Sequence, residues 1–169
     1  FGSQYAQLIA RRIRELGVYC EIVMHDISAE ELSAMQTKAL VLSGGPASVL
    51  EEKHPDMDPR IFDLGLPMLG ICYGMQLIGT MLGGTVSSGQ GREYGPAAID
   101  VDQPTGLFAG LDTRLDVWMS HGDHVTRVPQ GVTTLDHTPQ VIADMGDATR
   151  KIFGVQFHPE VVHTPKGTE

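Results

Sequence analysis

The sequence predicts an α/β protein, a three-layer sandwich with a central, mostly parallel β-sheet. In the first half, short apolar runs typical of buried strands alternate with segments whose apolar residues recur at helical spacing. Such alternation favours parallel strands joined by right-handed crossovers. In the second half, five strand-like runs follow one another with short links. We therefore expect an added β-rich region beside the parallel sheet.

Local patterns predict each element in turn. Ser3 is expected to cap a helix over residues 4–16, which Gly17 ends. The next expected elements, in chain order, are a strand at 18–24, a helix at 29–35 opened by Ser28, a strand at 39–42, a helix at 59–64, a strand at 66–69 and a helix at 77–82. The strands expected in the second half lie at 93–102, 115–119, 132–136, 140–143 and 151–156.

Composition excludes several classes of function. The 169 residues include 41% hydrophobic and 20% charged residues, as in an ordinary globular domain. A net charge of −9 without a large basic cluster argues against binding to nucleic acid or to an anionic membrane. Two cysteines, Cys20 and Cys72, form no disulfide framework, and Cys20 is interpreted as core filler. With no membrane-spanning run and no secretory signal, we expect a cytoplasmic setting.

Cys72 is the candidate nucleophile. It follows the predicted strand at 66–69 and precedes a helix, in a Gly-x-Cys-x-Gly turn. Strand, tight turn and helix form the layout of a nucleophile elbow, with sulfur in place of the serine oxygen. Gly70 and Gly74 would let strand and helix pack closely, and the helix N-terminus would favour a reactive thiolate. A buried structural cysteine is the alternative for this segment taken alone.

His158 and Glu160 are the candidate base and its orienting carboxylate. They follow the strand expected at 151–156, at the end of the sheet where α/β proteins gather ligands. Alternate residues of an extended chain point the same way, so the glutamate can reach the imidazole. A cysteine nucleophile requires such an oriented base. A metal site is not expected, since the chain contains neither CxxC pairs nor an HExxH helix.

Two further segments suit binding of a polar substrate. The glycine-rich loop at 43–46 follows a predicted strand, so the N–H of Gly45 could stabilise an oxyanion together with the N–H of Tyr73. A plain β-turn is the alternative interpretation of that loop. The expected strand at 115–119 leads into a polar segment. We predict that this segment is a substrate-binding loop, formed by Ser120, His121, Gly122 and Asp123.

Together these motifs resemble those of the class I, triad-type glutamine amidotransferases. The turn around Cys72 is similar to that family's nucleophile motif, residues 154–160 to its histidine–glutamate motif, and residues 43–46 to its oxyanion loop. The resemblance extends over nearly the whole chain. It implies a flavodoxin-like class I amidotransferase fold and a catalytic triad of Cys72, His158 and Glu160.

The resemblance also implies a reaction. L-Glutamine would be hydrolysed to glutamate and ammonia through a γ-glutamyl thioester, with Gln76 and the 120–123 segment holding the α-amino and carboxylate groups. Residues 1–5, 92–95 and 119–123, with Tyr73 and Met75, look most like the branch that supplies ammonia for ATP-dependent amination of XMP to GMP.

Partners and domain organisation are implied in the same way. An ATP pyrophosphatase (synthetase) domain, fused or separate, would use ATP and Mg²⁺, while this domain would need no cofactor. The full enzyme is expected to be a homo-oligomer. Residues 1–169 are expected to be one glutaminase domain cut at both ends from a longer enzyme, because the chain opens directly into a helix without an initiator methionine.

Other functions stay open at this level. The chain could instead be the glutaminase subunit of a different amidotransferase, or it could act as a free-standing γ-glutamyl cysteine hydrolase. A third hypothesis is a non-catalytic domain that binds and regulates a partner. Release of ammonia from free glutamine, and its response to a synthetase partner, separates these hypotheses.

Overall fold

Seven strands form one mixed sheet in the computed structural model, which describes residues 1–104 and 106–169. The strands are β1 (Leu40–Leu42), β2 (Met68–Ile71), β3 (Thr85–Val101), β4 (Arg114–Arg127), β5 (Thr133–His137), β6 (Ile142–Asp147) and β7 (Ile152–Val155). The helices are α1 (Ala6–Glu15), α2 (Ala29–Ala34) and α3 (Tyr73–Met81), with 3₁₀ turns at Pro59–Leu64 and Gly106–Phe108. The strand order is β1-β2-β7-β6-β5-β3-β4.

The sheet has a parallel part and an antiparallel part. β1, β2 and β7 pair in parallel, whereas β7, β6, β5, β3 and β4 pair antiparallel in that spatial order. Short links between successive strands permit only antiparallel pairing, which accounts for the second half. β7 inserts between β2 and β6, so the end of β2 that leads to Cys72 and the end of β7 that leads to His158 become neighbours.

Helices cover both faces of the sheet and produce three layers. α1 places Ile9 in a cluster with Ile71, Ile99 and Val117 on one face. α2 and α3 contribute to the other cluster, which also contains residues of β1, β2 and β7. The α/β class expected from the sequence is thereby confirmed, but the sheet is mixed rather than mostly parallel, because two of its strand pairings are parallel and four are antiparallel. Across the described ranges, no helix is both apolar enough and long enough to traverse a bilayer.

The strand predicted at 18–24 is wrong. These residues adopt no regular structure, and the described chain places no strand beside them. Val18, Tyr19 and Met24 are exposed, although their apolar character is what suggested a buried strand. A strand exists only through its hydrogen-bonded ladder, and a local apolar pattern cannot provide the partner.

Several element boundaries also differ from those expected. α1 begins at Ala6 without a side-chain cap, and Ser3 Oγ instead accepts the N–H of Tyr5 at 3.0 Å. The Ser28 cap of α2 is confirmed, with a complete capping box. β3 and β4 are much longer than predicted because they pair with each other along most of their length. Residues 120–123 therefore lie inside β4, and the loop predicted there is wrong.

Candidate active site

Cys72 occupies a strained elbow between β2 and α3. Its φ of 53° and ψ of −106° lie outside the regions that non-glycine residues favour. A Cβ on Gly70 would lie 2.5 Å from the carbonyl carbon of Gly74, and one on Gly74 would clash with the Leu42 carbonyl. Strand and helix therefore pack at a distance that only glycine permits, as the elbow motif predicts.

Neighbouring strands hold the cysteine on two sides. The N–H of Cys72 donates to the carbonyl oxygen of Val155 in β7 at 2.7 Å. Its Sγ lies 3.6 Å from the carbonyl oxygen of Ser120 in β4. Cys72 is 7% exposed, so the sulfur is nearly enclosed. The nucleophile candidate thus lies where β2, β7 and β4 converge.

His158 and Glu160 form the oriented pair that the sequence suggested. Nδ1 of His158 lies 2.9 Å from Oε1 of Glu160, and the two side chains are 7% and 2% exposed. A carboxylate only accepts hydrogen bonds, so Nδ1 carries a proton and Nε2 is left for the nucleophile. A Cβ built on Gly44 would contact both His158 Cε1, at 3.3 Å, and Cys72 Cβ, at 3.7 Å. Cysteine, histidine and glutamate are therefore gathered in one place.

The electrostatics of this group favour a charged histidine. Burial lowers the pKa of His158, but hydrogen bonds to Cys72 and Glu160, and their charges, outweigh it and raise the pKa to about 10. An imidazolium held between a sulfur and a carboxylate is suited to stabilise a thiolate. The same ring can later deliver its proton to a leaving group.

The two predicted oxyanion donors have different surroundings. Tyr73 is the first residue of α3, and the first N–H groups of a helix have no partner within it. In the glycine loop, Gly44 lies against Cys72 and His158, whereas Gly45 packs against the backbone of Phe1. The N–H of Gly45 as an oxyanion donor stays a prediction.

The 120–123 segment is part of the site, although its residues do different things. Ser120 is exposed beside Cys72. His121 is buried, and both ring nitrogens have protein partners: Asp123 O at 3.0 Å and Glu93 Oε2 at 3.3 Å. Burial lowers the pKa of His121 more than Glu93 raises it. His121 therefore supports the strand, and its role as a substrate ligand stays a prediction, as do those of Gly122 and Asp123.

Gln76 connects α3 to two strands. Its Nε2 donates to Asp123 O at 2.8 Å and to Gln156 Oε1 at 3.2 Å, and the side chain is buried. Both amide protons are thus used inside the protein. The Gln76 carbonyl oxygen is left for a ligand and could accept a hydrogen bond from an α-amino group, so the role of Gln76 in substrate binding stays a prediction.

Sequence reasoning missed several residues that support the site. Arg12 of α1 donates from Nε to the carbonyl oxygen of Glu160 at 3.1 Å. Glu93 of β3 contacts His121, and the ring of Tyr5 meets that of His158 edge-on at 5.7 Å. These residues come from distant parts of the chain and share no spacing rule. Only the position of Arg12 on a helix preceding the elbow could have drawn attention to it.

A second group of buried carboxyls lies outside the site. Asp136 of β5 and Asp144 of β6 are register partners, both fully buried, and their oxygens have no hydrogen-bond partner among the described residues. Burial, and then the charge of Asp102, raises the pKa of Asp136 to about 8. Burial, and then Asp136, raises the pKa of Asp144. Within residues 1–104 and 106–169, no three His, Cys, Asp or Glu side chains are grouped to hold a metal.

A cysteine on a strand–helix elbow, with a buried histidine–glutamate pair beside it on a mixed α/β sheet, defines a triad-type cysteine enzyme. The sequence profile for "Glutamine amidotransferase class-I" matches residues 1–169. The chain therefore belongs to the class I glutamine amidotransferase family.

Two relatives that are about half identical to this chain share one name. The GMP synthase (glutamine-hydrolyzing) of Heliobacterium modesticaldum is 51% identical over 172 residues, covering 100% of this chain and 33% of the relative. That of Natranaerobius thermophilus is also 51% identical, over 170 residues with the same coverage. The chain thus spans about a third of the length of the curated relatives it matches.

Solved structures support the fold. A Thermoplasma acidophilum protein described as a GMP synthase subunit superposes with a TM-score of 0.82 at 32% identity, covering 99% of this chain and 84% of that one. A glutamine amidotransferase from Thermotoga maritima gives a TM-score of 0.69 at 24% identity, covering 95% and 74%, which supports the fold alone. The predicted family and the class I amidotransferase fold are confirmed.

Proposed function

We propose that this chain hydrolyses L-glutamine to glutamate and ammonia, and that the ammonia serves ATP-dependent amination of XMP to GMP. The observation that carries the hydrolytic step is the 2.9 Å His158–Glu160 pair beside Cys72 on its strained elbow. The XMP acceptor is supported by identity of about half over the whole chain to GMP synthases. Both parts extend the family assignment to a specific reaction.

The proposed steps use residues already in contact. The Cys72 thiolate, formed by proton transfer to His158, attacks the side-chain carboxamide carbon of glutamine, and the carbonyl oxygen becomes an oxyanion near the N–H groups of Tyr73 and Gly45. Collapse breaks the C–N bond while His158 protonates the leaving ammonia. The γ-glutamyl thioester is then hydrolysed by water, with His158 as base and Cys72 as leaving group. Glu160 orients the ring and stabilises its charge throughout.

Partners follow from the same proposal. Ammonia would pass to an ATP pyrophosphatase (synthetase) domain, which would hold ATP and Mg²⁺. The hydrolytic steps above use only side chains and backbone groups of this chain. The curated relatives, about three times longer than this chain, have room for such a domain.

Cysteine substitutions test the hydrolytic step. Cys72→Ala is expected to reduce ammonia release from glutamine at least about 10³-fold and to retain the fold. Cys20→Ala is the matched control, because Cys20 is the other free thiol and lies half-buried against the Ala10 carbonyl rather than against the triad. Turnover is measured as glutamate formed, which glutamate dehydrogenase oxidises in a coupled assay, with XMP, ATP, Mg²⁺ and the synthetase domain present.

Covalent labelling gives an independent answer. A chloroketone analogue of glutamine should alkylate Cys72 in the wild type and in Cys20→Ala, as peptide mass spectrometry would show. Labelling elsewhere, or none in folded protein, contradicts the proposal. Turnover of γ-glutamyl peptides but not of free glutamine would assign the site to γ-glutamyl hydrolysis instead.

A further inference from the structure

We propose that Thr164 is a positioning residue for the catalytic histidine, acting through a side-chain clamp on the His158 backbone. Its Oγ1 donates to the carbonyl oxygen of His158 at 2.7 Å and accepts the N–H of Trp118 at 3.1 Å. The N–H of His158 in turn donates to the carbonyl oxygen of Trp118 at 2.9 Å. These three bonds form a closed set, which we call the Thr164 clamp.

The clamp acts where regular structure has ended. β7 stops at Val155, so His158 lies three residues beyond the last residue of the sheet ladder. Both backbone polar groups of His158 are nevertheless bonded, and both partners belong to the clamp. Thr164 is only 6% exposed, so water has little access to replace its hydroxyl. The position of the base therefore depends on one threonine six residues further along the chain.

The clamp also links the base to the nucleophile. Trp118 lies on β4 two residues before Ser120, and the Ser120 carbonyl oxygen lies 3.6 Å from Cys72 Sγ. Holding His158 to Trp118 thus sets the imidazole relative to the strand that contacts the sulfur. Displacements of about 1 Å in a catalytic group can cost about 10²-fold in rate. Thr164 itself contacts backbone groups rather than the reacting atoms, so its effect is indirect.

Thr164→Val tests the clamp, since valine keeps the shape and removes the hydroxyl. Assuming the proposed glutaminase function, we expect kcat for ammonia release to fall about 10- to 100-fold with KM within about threefold of wild type. Thr164→Ser restores the donor and the acceptor, and should recover kcat to within about threefold of wild type. Failure of serine to rescue would contradict a hydroxyl clamp.

Thr138→Val is the matched control. Thr138 is 3% exposed, and its Oγ1 accepts the N–H groups of Gln140 and Val141 in the turn between β5 and β6. Its replacement also removes a buried hydroxyl and leaves backbone donors unpaired. We expect a lower Tm with unchanged kcat and KM, which separates positioning from general destabilisation.

A second readout does not require glutamine hydrolysis. The rate of Cys72 alkylation by iodoacetamide, followed against pH, reports pairing of the sulfur with His158. We expect the pH at the midpoint of this alkylation curve to differ from wild type in Thr164→Val and to equal it in Thr138→Val. A shifted midpoint in a protein that leaves glutamine intact would support the clamp and refute the proposed function.

The proposal fails if folded Thr164→Val retains the wild-type kcat and alkylation midpoint. If that variant does not fold, Thr164→Ala is measured at low temperature with the same two readouts. Wild-type values in the alanine variant would overturn the clamp, and a changed midpoint would support it.

Discussion

Asp136→Asn is expected to stabilise the protein at neutral pH. Asp136 and Asp144 face each other across β5 and β6, fully buried and without hydrogen-bond partners in the described part of the chain. The folded protein keeps a proton on Asp136 up to a pKa of about 8, whereas the free side chain releases it near 3.8. Asparagine has nearly the same shape, needs no proton, and can donate from its amide to Asp144.

The sign and size follow from proton linkage. Between about pH 4 and pH 8 the folded state binds more protons than the unfolded state, so the free energy of unfolding falls as pH rises through this window. At about 1.4 kcal/mol per pH unit, holding the proton at pH 7 costs about 4 kcal/mol. Since the buried amide has its own desolvation cost, we expect a net gain of about 2 kcal/mol at pH 7 and none at pH 4.

Urea unfolding followed by circular dichroism from pH 4 to pH 9 measures this difference. Asp147→Asn, on the same strand as Asp144, is the control, because its hydrogen bonds to Arg150 and Thr149 lower the pKa of Asp147. A lowered pKa stabilises the fold above about pH 4, so this variant should lose stability at pH 7. The reasoning is refuted if Asp136→Asn is less stable than wild type at pH 7, or if its advantage is the same at pH 4.

Two further substitutions probe the site itself. Glu160→Gln should lower the pKa of His158 from about 10 toward 6.5, in an NMR titration of the ring. The wild type holds the stabilisation from this pair in full below about pH 6.5 and loses it progressively as the pH rises to about 10, so the variant should lose more stability at about pH 6 than at about pH 9. An unchanged midpoint would argue against the pairing. Gly74→Ala should destabilise the protein by about 3 kcal/mol or more in urea unfolding, because the new methyl group clashes with the Leu42 backbone. In Gly79→Ala the new methyl group lies 3.3 Å from the end of a side chain, so the free energy of unfolding should change by less than about 1 kcal/mol. Similar costs for the two glycine variants would contradict the packing argument.

Features encoded within a few consecutive residues could be predicted from the sequence. The elbow around Cys72 needs a buried strand, two close glycines and a helix, and all three are adjacent in the sequence. The His158–Glu160 contact is likewise local, since two residues of separation suffice for the carboxylate to reach the ring. The Ser28 cap followed from a short-range rule as well.

Features that depend on distant partners could not be predicted in this way. The strand expected at 18–24 failed because an apolar run cannot say whether another strand lies beside it. The 120–123 segment was expected to be a loop, but pairing with β3 extends the strand through it. Thr164 and Arg12 support the His158–Glu160 pair from positions whose local sequence reveals nothing of their contacts.

The insertion of β7 beside β2 has a consequence for biosynthesis. A ribosome adds Cys72 to the chain 86 residues before it adds His158, and the parallel pairing of β2 with β7 must wait for the later segment. While the residues between them are being made, a nascent chain carries its sulfur without the imidazole. Under the proposed glutaminase function, a chain that has not yet reached His158 would therefore release no ammonia.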